Sequence, residues 1–167
     1  MMRVSRVIEY LISQNQTAFI KNRNIIEGIL ILHETLSSAH QKKQSGILCK
    51  VDFEKAYDKI NWDFIFKFLQ AKHFLEKICD WIMKIIRGGK VAVKVNDQIE
   101  PYFNTHKGLR QGDPMSPILF NIAAEALIVL IQRAEKHNLI QGLGIDNENT
   151  IAIMQYADDT IFLMQDS

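Results

Sequence analysis

In the first dozen residues Val4, Val7, Ile8, Leu11 and Ile12 recur at i, i+3, i+4, i+7 and i+8, the stripe of an amphipathic helix. Residues 13–24 are polar and irregular apart from Ala18-Phe19-Ile20. Asn24 suits a helix N-cap, and behind it Ile25, Ile26, Ile29, Leu30, Leu32, His33 and Leu36 repeat at helical spacing, which predicts a second helix. Polar residues 38–45 end it, and Gly46 closes the segment.

The apolar run 47–51 behind that glycine predicts a short buried strand with Asp52 at its C-terminal end. Asn61 caps a predicted helix carrying Trp62, Ile65, Phe66 and Leu69. Another is expected over residues 75–87, with Ile78, Trp81, Ile82 and Ile85 inward and Gly88-Gly89 as its stop. Residues 91–95 and 99–103 read as a hairpin about Asn96-Asp97-Gln98. A glycine- and proline-marked loop, 105–117, leads into a long apolar helix over 118–137. Gly142 and Gly144 precede a final hairpin built from the runs 151–155 and 160–164. This order predicts an α+β fold, an antiparallel sheet with helices on one face.

The turn of that last hairpin is Tyr156-Ala157-Asp158-Asp159. Two adjacent carboxylates at a tip repel each other, and a hard divalent cation such as Mg²⁺ removes the repulsion. Taken alone the tetrapeptide suits a structural turn equally well, because Asp is a common turn residue. Asp52 is the evident partner from a distant segment. A carboxylate at the end of a buried strand is costly unless exposed, paired or metal-bound. By itself Asp52 also suits a cap ahead of the helical stretch that follows. Together the two segments could hold two Mg²⁺ ions for phosphoryl chemistry.

Composition narrows this little. The chain is 47% hydrophobic and 23% charged, with a net charge of +1, so charge alone does not announce a nucleic-acid binder. At 167 residues one domain is expected. Cys49 and Cys79 have no paired spacing; Cys49, in an apolar run, is expected to be buried. The five histidines form no ligand pattern. No run approaches membrane-spanning length, residues 118–131 being interrupted by Asn121 and Glu125. The N-terminus lacks the apolar stretch of a secretory signal, so an intracellular protein, nuclear or cytoplasmic, is expected.

The stretch Lys50-Val51-Asp52-Phe53-Glu54-Lys55-Ala56-Tyr57-Asp58 closely resembles the first catalytic block of reverse transcriptases, specifically those of non-LTR, LINE-type retrotransposons. Residues 15–26 resemble the family's fingers block. Gly108-Leu109-Arg110-Gln111-Gly112-Asp113-Pro114 resembles its substrate- and template-gripping block. Tyr156-Ala157-Asp158-Asp159 is similar to its aspartate box. All four occur in the family's order, and the resemblance covers nearly the whole chain.

The resemblance implies a polymerase palm-type sheet with partial fingers, in a single partial domain over 1–167: about 1–45 fingers-like, about 46–167 mostly palm. It implies an RNA-directed DNA polymerase acting with two Mg²⁺ ions (Mn²⁺ as an alternative), on an RNA template, a DNA primer and dNTPs, with no membrane partner. It implies Asp52, Asp158 and Asp159 as the carboxylate triad, with Asp159 the less direct ligand, and Asp52, Phe53, Asp158 and Asp159 as the metal-binding residues. The Phe53 backbone would seat the triphosphate, and the Tyr57 ring would exclude a ribose 2′-hydroxyl. Gln111 and Gly112 would lie under the incoming nucleotide. Arg110, Arg23 and Lys21 are further candidates for phosphate or template. Tyr57 disfavours the reading as an RNA-dependent RNA polymerase.

Departures also register. The chain stops shortly after Asp159, so a thumb, further palm strands and an endonuclease are expected to be absent, and the strand 160–164 to form an exposed apolar edge. A catalytically silent retrotransposon remnant, or a residual nucleic-acid-binding module, is the alternative reading.

Overall fold

The computed structural model describes residues 2–144 and 149–166, with side chains from residue 7 onward. Helix α1 spans Met2–Leu11 and α2 spans Ile25–Gln41. The Asn24 side chain accepts from the Ile26 N–H, as its N-cap role requires. Strand β1 is Gly46–Val51. A single helical turn, α3, spans Ala56–Lys59, and α4 spans Trp62–Ala71, where the Asn61 side-chain Oδ1 accepts from the Asp63 and Phe64 N–H groups. Helix α5 is Glu76–Arg87.

The expected hairpin forms as two short antiparallel ladders. β2 (Lys90–Val91) pairs with β5 (Phe103–Asn104), and β3 (Lys94–Val95) pairs with β4 (Gln98–Ile99). The long helix α6 is Ser116–Lys136. β6 (Leu143–Gly144) pairs with β7 (Thr150–Ile151), and β8 (Ile153–Tyr156) with β9 (Asp159–Gln165).

The main sheet has the order β1-β9-β8, with both pairs antiparallel. This reverses one expectation. The strand expected to form a bare edge is the central one, and Leu163 within it is fully buried. The edge is β1, whose residues 46–50 are exposed, with Ile47 and Leu48 about half accessible. Cys49, expected to be buried, is accordingly exposed, whereas Cys79 is buried. An apolar run alone does not tell an inner strand from an outer one. Pairing partners from distant segments make that choice.

Helix α2 covers one face of this sheet. Ala39 and Leu32 of α2 pack on Leu163, Ile161 and Met154. Residues of opposite phase, Ile153, Gln155, Thr160 and Phe162, point the other way, since paired residues share a face. α2 is apolar on nearly every side, so its pattern leaves open which sheet face it covers.

The larger core gathers Ile8 of α1 and Ile12 just beyond it, Ile65 and Leu69 of α4, Cys79, Ile82 and Ile86 of α5, and Ile118, Leu119 and Ile122 of α6. In α5 the inward stripe is Cys79, Ile82, Met83 and Ile86, while Trp81 and Ile85, expected inward, are exposed. The apolar residues of this helix span a wide arc, and contact with α4 selects which part is buried.

α6 is long and apolar enough by length and composition to cross a membrane, with a mean hydropathy of 1.5. Its polar residues show a different use. Buried Asn121 donates to the Ala18 carbonyl at 2.7 Å. Buried Glu125 accepts from the Ser13 N–H at 2.9 Å and from Lys72 Nζ at 3.1 Å. These bonds fasten residues 13–18 to the core helix, and a buried polar group needs such partners.

Candidate active site

The register builds the site. Val51 is paired with Thr160, and Tyr156 with Asp159. One step beyond Val51 the antiparallel direction brings Asp52 level with Asp159, and cross-strand neighbours sit about 5 Å apart at their Cα atoms. Two carboxylate-bearing segments, distant in the chain, therefore meet at one end of the sheet.

The β8–β9 turn has Ala157 and Asp158 as its two central residues, and Ala157 has φ +54°. Tight hairpins need positive φ there, a place glycine usually fills. A non-glycine residue held so costs about 1 kcal/mol or more, and something must hold it. Residues 15–17 do this. They lie parallel to β8 through an isolated bridge between Gln16 and Gln155. The Gln155 N–H donates to the Asn15 carbonyl at 2.7 Å, and the Thr17 N–H to the Gln155 carbonyl at 3.1 Å. The fully buried Gln16 side chain reaches the turn itself.

Asp159 is exposed, and its Oδ1 lies 2.9 Å from Lys50 Nζ. That hydrogen bond, the Asp159 charge and a smaller contribution from Asp52 hold the Lys50 ammonium above its ordinary pKa. Lys50 thus sits beside both carboxylates and answers Asp159 directly. Asp158 stands near Tyr57 instead: burial, and then the negative charge of Asp158, push the phenol up. The Tyr57 ring stacks on Phe120 of α6, with centroids 4.5 Å apart and planes 6° from parallel.

The loop ahead of α6 is locked to the same region. The Leu109 N–H donates to the Tyr57 carbonyl and the Gly108 N–H to the Ile60 carbonyl, both at 2.8 Å. Trp62 Nε1 donates to the Gly108 carbonyl at 2.7 Å. Gly108, at φ +88°, leaves no room for a Cβ, which would fall 2.7 Å from the Asp58 carbonyl oxygen. Gly112, at φ +89°, meets nothing within 4 Å, so backbone conformation rather than crowding calls for glycine there.

The expected site residues divide accordingly. Asp52, Phe53, Tyr57, Asp158 and Asp159 converge. Gln111 and Gly112 lie exposed at the tip of the loop that Leu109 ties to Tyr57. Arg110 extends its guanidinium over Gly89, in the space a side chain there would need. Lys21 is exposed. Arg23, expected as a phosphate contact, is spent otherwise. Its guanidinium donates to the carbonyls of Glu9, Ile12, Ser13 and Gln16, closing the end of α1, where unpaired carbonyls need donors.

Among the described residues no group of three or more His, Cys, Asp or Glu side chains stands ready to hold a metal ion. The donor type still fits a hard dication, because Asp52 and Asp158 offer carboxylate oxygens without a cationic partner as close as the one Asp159 has. Lys50, Gln16 and Phe120 escaped sequence reasoning. Lys50 lay within the quoted motif, two residues before Asp52, and marked itself only as a surface lysine.

An antiparallel palm sheet with paired acidic strand ends and an aromatic ring beside them is the architecture of a template-directed polymerase. The model of the reverse transcriptase (RNA-dependent DNA polymerase) family matches residues 2–167, and the chain belongs to that family. It is 24% identical over 166 residues to the transposon TX1 uncharacterized 149 kDa protein of Xenopus laevis, covering 99% of this chain and 12% of that one. It is 27% identical over 155 residues to the retrovirus-related Pol polyprotein from type-1 retrotransposable element R2 of Nasonia vitripennis, covering 93% and 14%. The chain thus spans about an eighth of the length of these relatives. Apo telomerase from Candida tropicalis truncated from its C-terminal domain shares the fold, with a TM-score of 0.68 at 13% identity over 99% of this chain and 34% of that one. The retrotransposon kinship read from the motifs is borne out.

Proposed function

We propose that this chain carries the nucleotidyl-transfer centre of an RNA-directed DNA polymerase, in which a primer 3′-hydroxyl attacks the α-phosphate of a dNTP and pyrophosphate leaves. The observation that carries this reading is the strand register that sets Asp52 level with the Asp158-Asp159 turn. Asp52 and Asp158 are the ligands for divalent ions, with Asp159 joining only if it leaves Lys50. The chemistry that a pair of Mg²⁺ or Mn²⁺ ions supplies when bound is activation of the hydroxyl and neutralisation of phosphate charge. The chain's own contribution is positioning. The Phe53 backbone seats the triphosphate, Tyr57 shuts out a 2′-hydroxyl from its stack on Phe120, and Gln111-Gly112 lies under the nucleotide. Arg110 and Lys21 serve template or triphosphate. An RNA template and a DNA primer are the partners.

Primer extension on an RNA template with dNTPs and Mg²⁺ tests the reading, with Asp158→Asn as control. Product from the wild type that disappears in the variant supports it. Nucleic-acid binding without extension by either protein would favour the silent-remnant alternative.

A further inference from the structure

Gln16 has its side chain completely buried, and every polar atom it carries is engaged. Its Oε1 accepts from two backbone N–H groups, Ala18 and Ala157, each at 3.0 Å. Its Nε2 donates to the Ala157 carbonyl at 3.2 Å. The primary amide therefore meets both polar groups of the one residue whose φ is forced positive in the aspartate turn. A buried amide satisfied in this way is rigid, because any rotation breaks two bonds at once in a site from which water is excluded. Asp158 is the next residue along. Its carboxylate direction follows from the backbone that Gln16 holds.

We infer that Gln16 is a positioning residue for the metal-binding carboxylate Asp158, acting through the backbone of Ala157. This rests on the polymerase reading for its consequence but not for its geometry. The bridge between Gln16 and Gln155 sets the level of the clamp, and the Asn15 amide, donating to the Ile153 carbonyl at 2.6 Å, anchors its base. The segment ahead of α2 is thereby a template for the catalytic turn rather than only a connection.

The test uses Gln16→Met, which keeps the volume and removes the amide, and Gln16→Glu, which keeps the acceptor and loses the donor. In Gln16→Met the Ala157 amide should exchange about tenfold faster, the scale of one hydrogen bond, while amides of β1 and of the α6 centre keep their protection. Mn²⁺ affinity, read by titration calorimetry, should fall, and extension should drop in kcat by about 10–100-fold with little change in the dNTP KM. Gln16→Glu should lie between Gln16→Met and the wild type.

Combining Gln16→Met with Ala157→Gly should recover part of the loss, because glycine holds positive φ unaided. Unchanged exchange at Ala157, a loss spread evenly over all amides, or strict additivity with Ala157→Gly would each overturn the inference. If Gln16→Met does not fold, Gln16→Glu alone and with Ala157→Gly decides by the same readings. If the wild type extends no primer, the polymerase reading fails, while exchange and Mn²⁺ binding still decide the role of Gln16.

Discussion

Lys50 Nζ meets Asp159 Oδ1 at 2.9 Å, so the two carboxylates of the aspartate turn stand in unlike surroundings. Both partners are more than half exposed, and such solvent-screened pairs contribute little to folding. Its importance lies in charge: a cation beside Asp159 and Asp52 opposes a dication at the same place. Lys50→Met should leave the urea midpoint nearly unchanged and tighten Mn²⁺ binding. Weaker binding would show instead that Lys50 orients the carboxylates. Asp159→Asn should damage extension less than Asp158→Asn or Asp52→Asn.

Tyr57 is held flat on Phe120, which fixes where its ring stands. An aromatic pair of this kind contributes about 0.5–1.5 kcal/mol beyond area burial. Tyr57→Phe should keep the stack, the stability and the preference for dNTPs over rNTPs. Tyr57→Val should lose the preference, seen as ribonucleotide incorporation in single-nucleotide extension. A Tyr57→Val enzyme that still rejects rNTPs would place the gate elsewhere.

The same side chain reports on Asp158 by titration. The folded protein holds the Tyr57 phenol above its ordinary pKa, first by burial and then by the Asp158 charge. Its neutral form is the favoured one, so its contribution to stability is full below the ordinary tyrosine pKa and is lost as pH rises through the raised value. The phenolate absorbance that Tyr57→Phe removes should appear at lower pH in Asp158→Asn than in the wild type. It should still lie above that of free tyrosine, because burial remains. An unshifted curve would show that the two residues are not neighbours in solution.

Glu125 is nearly inaccessible, and Lys72 is a quarter exposed. Removing one member of a buried pair strands the other, at about 3–5 kcal/mol where both are fully buried. Glu125→Ala should cost about 3 kcal/mol in urea unfolding, because it also deprives the Ser13 N–H of its acceptor. Lys72→Met should cost less, its methylenes being retained. A cycle of the two variants that shows no coupling would refute the pairing.

Much of this protein is determined locally and can be read without a structure. Asn24 and Asn61 cap the helices they precede because a short side-chain oxygen finds the free N–H groups wherever the chain starts a helix. The apolar runs at 47–51, 151–155 and 160–164 form strands in whole or in part, and Asp52, Tyr57 and Asp158 stand out once the motifs around them are matched to the family. What the sequence leaves undecided is every choice among equivalent apolar surfaces. Trp81 and Ile82 are both suited to burial, and only the approach of α4 selects Ile82. β1 and β9 have similar composition, yet β9 is central because both other strands bond to it. Gln16 and Arg23 look alike as polar residues on a polar stretch, and Lys50 as a lone lysine within an apolar run. Their uses, clamping Ala157, closing α1 and answering Asp159, depend on groups far away in the chain, and only tertiary structure brings those groups within hydrogen-bonding reach.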